Sequence, residues 1–299
     1  MRLMVATGLD GTLITHKGIL TKYTEETLLN FRNQYDKNYL VVASSRGFQS
    51  IREYLKPLRL FKEDDYTICF NGCEIVHNKT GEVIYSRYIK GKDIKKGLLL
   101  ANELGLSFFA YNKKEEILYS DLTRFVEEEA KTTGNRLKKV DFRHLRDGDE
   151  FVKMSFSGLA EPLNALTGAI RRVFKATHNA IRCHQRRLDV YNKEASKGAA
   201  LCVLKDILKI DKSQILAFGD HENDYSLLKE ALYRFVMKNC HHERVTNFAT
   251  EIIPSNREEG VAKIVNKYVL PKATLELCID GVRKGVVINL DQSVSLKKN

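Results

Sequence analysis

The chain predicts an α/β fold, a doubly wound parallel-sheet (Rossmann-like) core interrupted by an inserted α+β domain. Three observations predict it. Short apolar runs alternate with helix-like segments near both ends of the chain, each run stops at a loop of small and acidic residues, and the pattern lapses in between.

Leu3 to Thr7 is the first apolar run and Tyr39 to Ala43 the second; both read as buried strands. Between them, Thr24 to Tyr35 carries early acids at Glu25 and Glu26 and apolar positions at Leu28, Leu29 and Phe31, which fits a helix. A second helix, Phe48 to Leu55, stops before Pro57 and leads to a third strand, Tyr66 to Phe70, which ends at Asn71-Gly72. This order implies a parallel sheet with right-handed crossovers. The same grammar returns late: a helix over Lys197 to Leu208, a strand over Gln214 to Phe218, a helix over Tyr225 to Leu232 and a strand over Phe235 to Met237. The middle alternates strand-like Ile117 to Tyr119 and Phe151 to Phe156 with helix-like Ile94 to Leu104 and Pro162 to Phe174. The expected division is therefore 1–82 plus 188–270 for the core, 83–187 for the insertion and 271–299 for a C-terminal segment. In that segment Pro271 marks a boundary, Thr274 to Leu290 reads as a hairpin turning at Asp280-Gly281, and Ser293 to Asn299 as a frayed tail.

Length and composition fit a globular protein: 299 residues, 43% hydrophobic and 29% charged, leave no basis for a disordered reading. No run of eighteen apolar residues occurs and the N-terminus enters a strand at once, so a cytoplasmic protein without a membrane partner is expected. The six cysteines, as in Ile68-Cys69-Phe70 and Leu201-Cys202-Val203, read as buried free thiols. Cys183-His184 and Cys240-His241-His242 have the ligand types of a zinc site without its spacing. A net charge of +11 favours anionic partners. Its densest cluster, Arg182 to Arg187, lacks interleaved aromatics and reads as a solvated face, so a small phosphorylated metabolite is expected rather than nucleic acid.

In an open parallel sheet, ligands bind beyond the carboxyl ends of the strands. Four residue groups fall there: Gly8-Leu9-Asp10-Gly11-Thr12-Leu13, Ser44, Lys197 at the head of its helix, and Gly219-Asp220-His221-Glu222-Asn223-Asp224. Taken singly, each has a bland explanation as a turn, a cap or a solvated charge. As an ordered set they suit phosphoryl transfer, where positioning and charge neutralisation supply most of the catalysis. Ser44 and Lys197 would hold a phosphate, Asp220 backed by Asp224 would hold Mg²⁺, and Asp10 would move a proton to the leaving oxygen. Phosphate-loop, nucleophile-elbow and zinc-protease motifs are all missing from the sequence.

The order D-x-D-G-T-[LV], Ser or Thr, Lys, G-D-x-x-N-D resembles the signature of the haloacid dehalogenase superfamily. Ser44-Ser45-Arg46, Asn71-Gly72, Asn239 and Glu259-Gly260-Val261-Ala262 are similar to accessory motifs of its type IIB capped sugar-phosphatase branch. The likeness runs from Leu3 to Val269. It implies a Mg²⁺-dependent phosphatase of small phosphomonoesters that works through an aspartyl-phosphate, with the insertion as a cap that closes over the site. It further implies Asp10 as general acid and base, Ser44, Lys197 and Asn223 on the phosphate, and Asp10, Asp220 and Asp224 around the metal.

One position departs from the pattern: where the family carries its nucleophilic aspartate stands Gly8. The alternative function is therefore a non-catalytic phosphometabolite-binding or regulatory protein on the same fold. The glycine itself has three readings, a natural loss, an introduced replacement or a backbone need for glycine, with the last ranked lowest.

Overall fold

The computed structural model describes residues 2–34, 38–174, 177–270, 273–279, 282–289 and 293–296. The first apolar run forms β1 (Met4–Gly8), followed by a wide turn over Leu9–Leu13, α1 (Lys22–Asn33), β2 (Tyr39–Ala43), α2 (Phe48–Leu55), β3 (Tyr66–Cys69), β4 (Glu74–His77) and β5 (Val83–Ser86). The chain then enters a second sheet: β6 (Ile89–Lys90), α3 (Gly91–Glu103), β7 (Ser107–Asn112), β8 (Ile117–Tyr119), α4 (Arg124–Thr133), β9 (Leu137–Lys139), β10 (Glu150–Ser157), α5 (Ala160–Val173), β11 (His178–His184) and β12 (Arg187–Asn192). It returns through α6 (Lys197–Leu208), β13 (Ile215–Gly219), α7 (Tyr225–Lys229), β14 (Tyr233–Met237), α8 (Glu243–Thr246), β15 (Glu251–Ile253) and α9 (Gly260–Tyr268). Three antiparallel strands follow, β16 (Ala273–Ile279), β17 (Val282–Asn289) and β18 (Ser293–Leu296).

The first sheet has the order β15-β14-β13-β1-β2-β3-β4-β5. It is parallel from β15 to β3 and antiparallel beyond. Strand alternation sends Val5, Leu40 and Val42 to one face, against Leu28 and Phe31 of α1 and Ile264 and Val265 of α9. Met4, Ala6 and Val41 go to the other, against Leu201 and Leu204 of α6 and Leu227 and Leu228 of α7. Because β1 lies between β2 and β13, the chain winds in opposite directions on its two sides, and the crevice beyond its carboxyl end is open to ligands.

The second sheet packs one face on α3 and α5 through Phe108, Met154, Phe156, Leu188 and Val190. Its other face carries Phe109, Tyr111, Val152 and Tyr191 into the same cluster as Phe70 and Cys73 of the first part. A charged knot sits within that face. Lys153 donates to Asp189 at 2.6 Å, Ser155 donates to it at 2.8 Å, and Arg187 pairs with both Asp189 and Glu129.

The structure corrects several expectations. Val83–Ser86 does not belong to the inserted part: the turn after His77 is too short to leave the sheet, and β5 pairs with β4. At the other end β12 lies inside the second sheet, between β11 and β10, so that sheet's strands run from Ile89 to Asn192 rather than 83–187. Arg187 is consequently turned inward by strand alternation instead of lying on a solvated face, and Asp189 is fully buried. Cys202 is exposed because helical periodicity gives the buried side of α6 to Leu201, Leu204 and Leu208; Cys69, Cys73 and Cys240 are buried and Cys183 is half-buried. Helix α7 is five residues long, shorter than expected, and Ser293–Leu296 pairs with β17 instead of fraying. Tyr35, Pro271 and the Asp280-Gly281 turn lie outside the described residues.

Removing Asp189 strands the buried Lys153 ammonium, while Arg187 keeps Glu129, and breaking such a buried pair costs about 3–5 kcal/mol. Asp189→Ala is expected to lower the stability measured by urea unfolding by that amount. A loss below about 1 kcal/mol, the scale of an exposed pair, contradicts the buried assignment.

Candidate active site

The loops beyond β13, β1 and β2 are built for close approach. Gly11 has φ +72°, and a Cβ there would lie 2.1 Å from Asp220 Oδ2, so the turn and the carboxylate fit only around glycine. Asn239 donates to the Gly11 carbonyl at 2.9 Å, and Asn256 donates to the Ile14 carbonyl at 2.8 Å while its own N–H reaches Asn239. Two asparagines from the far end of the chain thus pin the middle and the exit of the Leu9–Leu13 turn. Gly72, at φ +90°, lies against the Ser196 carbonyl and brings the end of β3 to the head of α6.

Lys197 opens α6 behind its cap Ser196, whose hydroxyl accepts from the Ala199 N–H at 3.0 Å. Its buried ammonium donates to Asp224 Oδ1 at 2.6 Å, and Asp224 Oδ2 accepts from the N–H groups of Asp220 and His221 at 3.0 and 3.1 Å. Asp224 therefore has protein donors on both oxygens and braces the loop from behind. Asp220 accepts from the Thr12 hydroxyl at 2.6 Å. Burial, then the charge of Asp224, pushes its carboxyl up to about 7, while the Thr12 hydrogen bond and Lys197 oppose the rise. Asp10 is held outward by Arg46, with Nε at 2.9 Å. Ser44 is buried and its hydroxyl accepts from the Arg46 N–H at 3.1 Å.

These groups converge on one cavity of about 230 Å³, lined from the first sheet by Asp10, Ser44, Lys197, Asp220, Asn223 and Asp224, and from the second by Ile181, Cys183 and Arg187. Asn223 has a further connection. It donates to Asn71 Oδ1 at 2.7 Å, Asn71 donates to the Tyr191 hydroxyl at 3.0 Å, and Tyr191 donates to Asp189 at 3.0 Å. Tyr191 was not legible as a site residue, because the only signal was an aromatic in an ordinary strand pattern. Asn256 was missed for the same reason, and Thr12, although part of the loop after the first strand, had no role assigned: a hydroxyl or amide in a turn carries no mark of what it will hold.

Gly8 does not line the cavity, and its backbone does not require glycine. At φ −58° and ψ 158° any residue fits. A Cβ would meet the Thr12 hydroxyl at 2.9 Å and Asp224 Oδ1 at 3.4 Å, so a side chain needs only a small movement of Thr12. The reading that the backbone needs glycine is therefore set aside.

Among the described residues no three His, Cys, Asp or Glu side chains form a metal cluster. The donors that remain, Asp220 and main-chain oxygen, are hard oxygen ligands. They fit a Mg²⁺ held by one carboxylate together with water and substrate phosphate.

This architecture and motif order define a family. The chain belongs to the haloacid dehalogenase-like hydrolases, whose family profile matches residues 5–265. It is 26% identical over 280 residues to YxeH of Bacillus subtilis (strain 168), named as a candidate phosphatase, across 90% of this chain and 99% of YxeH. A haloacid dehalogenase-like hydrolase from Bacteroides thetaiotaomicron has the same fold, with TM-score 0.79 and 24% identity over 89% of this chain and 99% of that one. So has the subclass IIB sugar phosphatase BT4131, with TM-score 0.75 and 20% identity over 89% of this chain and 98% of its own. Family and relative together support phosphatase chemistry as the activity class. Among the described residues no helix is long and apolar enough to cross a membrane.

An Asp220 pKa near 7, against about 4 when unfolded, gives a definite linkage. The stability tied to this group is present below pH 4 and is lost as pH rises toward 7. In metal-free buffer at pH 8, Asp220→Asn is expected to raise the melting temperature, by about 2–4 °C per kcal/mol of repulsion removed. At pH 5, where folded Asp220 is neutral and only the unfolded carboxyl has ionised, the change should be about a third as large. Calorimetric scans showing equal shifts at both pH values, or a fall at pH 8, contradict this account.

Proposed function

We propose that the cavity binds a small phosphomonoester, a sugar or polyol phosphate, together with Mg²⁺, on a phosphatase scaffold whose covalent step is disabled at Gly8. The observation that carries this reading is the meeting of Asp10, Ser44, Lys197, Asp220 and Asn223 around one cavity beside a glycine that the backbone does not need. An ammonium has three donors, and Asp224 takes one from Lys197, which leaves two for phosphate oxygens. Ser44 offers a hydroxyl and Asn223 its remaining amide hydrogen. Asp220 and the main-chain carbonyl of Asp10 would hold Mg²⁺, which when bound neutralises phosphate charge. Asp10 is assigned the proton transfer to the leaving oxygen, for which its carboxylate turns from Arg46 toward the substrate. Asp224 serves as a brace in this reading and not as a metal ligand, because its oxygens already accept from the chain.

What is missing is the carboxylate that would attack phosphorus as the ester bond breaks. Loss of a nucleophile costs on the order of 10⁴ to 10⁶ in turnover by analogy with hydrolase triads. It also removes one negative charge from beside a bound phosphate dianion, so binding meets less repulsion. The same glycine favours a second reading, a non-catalytic phosphometabolite-binding or regulatory protein. The cap role of the second sheet and a cytoplasmic location belong to the proposal as well, the first supported by Arg187, Cys183 and Ile181 on the cavity wall.

Release of phosphate from p-nitrophenyl phosphate separates these readings. The chain as it stands is expected to give background rates. Gly8→Asp should raise the rate at least about 10³-fold in a Mg²⁺-dependent manner, a floor set below the roughly 10⁴ to 10⁶ that nucleophile loss removes. If Gly8→Asp stays at background, the phosphatase scaffold is refuted and only the binding reading survives.

A further inference from the structure

Helix α2 begins directly after the Ser44-Ser45-Arg46 loop, yet its own sequence supplies no cap. Gly47 stands at the N-cap and makes no side-chain hydrogen bond. The first N–H groups of a helix need acceptors from elsewhere. Here the acceptor comes from the second sheet. Both carboxylate oxygens of Glu115, in the turn between β7 and β8, accept from the Gln49 N–H, at 3.2 and 3.1 Å.

Three features show that this contact is built rather than incidental. Glu115 has φ +60°, a strained setting for a side-chain-bearing residue, held by Asn112: its side chain accepts from the N–H groups of Lys114 and Glu116 at 2.9 Å each, and its carbonyl from that of Glu115. Gly47 has φ −77°, which any residue adopts, but a Cβ there would lie 2.2 Å from Glu115 Oε2. Glycine at 47 is therefore needed for space, and the space is shared by the carboxylate and the Phe70 ring, 2.4 Å from that Cβ position. Finally, the Ser50 hydroxyl on the same helical turn donates to the Thr133 carbonyl at 2.7 Å at the end of α4, so the second sheet's layer meets α2 at two points.

We infer that Glu115 is a positioning residue. By completing the N-terminus of α2 from across the interface, it fixes the loop in which Ser44 accepts from the Arg46 N–H and Arg46 grips Asp10. Docking of the second sheet would thereby order the phosphate-receiving loop without any contact between Glu115 and substrate. The link to phosphate rests on the proposed function; the link between Glu115 and the loop does not.

The test compares the full chain with Glu115→Ala and Glu115→Gln, reading amide hydrogen exchange at Gln49 and Arg46 together with calorimetric binding of inorganic phosphate in Mg²⁺. Glu115→Ala is expected to lower protection at both amides about fivefold, the worth of one helix cap, and to weaken phosphate binding by a similar factor. Glu115→Gln keeps an acceptor oxygen and should stay within about twofold of the parent in all three readouts. Unchanged exchange in Glu115→Ala, a change at Gln49 that does not reach Arg46, or a Gln variant as impaired as the Ala variant would each overturn the inference. If the parent binds no phosphate, the proposed function fails, while the exchange at Arg46 still decides whether Glu115 holds the loop.

Discussion

The buried pair between Lys197 and Asp224 is the interaction on which the rest of the site depends. It joins the first residue of α6 to the loop after β13, and the second oxygen of the same carboxylate collects two backbone N–H groups of that loop. An ion pair out of water is stable only when its remaining hydrogen-bonding capacity is met, and Asp224 meets it fully. With the loop anchored, Asp220 is buried and held close to a second negative charge, and burial first, then that repulsion, raises its affinity for a proton. That repulsion is the physical basis for expecting a cation, and it exists with or without the carboxylate missing at position 8.

In the proposed reading, the surroundings of Gly8 make the departure at this position a local one. The neighbours that a side chain there would meet, Thr12 and Asp224, are held by Asp220 and Lys197, and the backbone conformation suits any residue. A site that had drifted after losing its nucleophile would be expected to lose its supports as well. Instead Asn239 and Asn256 still clamp the turn, and Arg46 still orients Asp10. In the proposed reading, holding a phosphate and cleaving its ester are therefore separable.

Much of the fold could be read from the residues because buried parallel strands are uninterrupted apolar runs, as in Leu40-Val41-Val42, and end at loops with a distinctive makeup. The limits of the second sheet could not. Val83–Ser86 and Arg187–Asn192 both look like strands, and which sheet each joins is decided by turn length and partner strands far along the chain. The site was legible where residue type and strand end coincide, at Asp10, Ser44, Lys197 and Asp220. It was not legible at Tyr191, whose role comes from lying within hydrogen-bonding distance of Asn71, 120 positions earlier. Asp224 shows an intermediate case: its place in the Gly219-to-Asp224 loop could be read, but its commitment to Lys197 and two amides appears only in the folded geometry.

The central claim is that the chain, as it stands with Gly8, retains a working phosphate-ester site. Titrating a hexose phosphate into the unaltered protein by calorimetry, with and without Mg²⁺, tests it most directly. Saturable binding at one site per chain, abolished by Lys197→Ala in protein that remains folded, is the result this account requires. No binding under either condition, or binding unaffected by loss of Lys197, would contradict it.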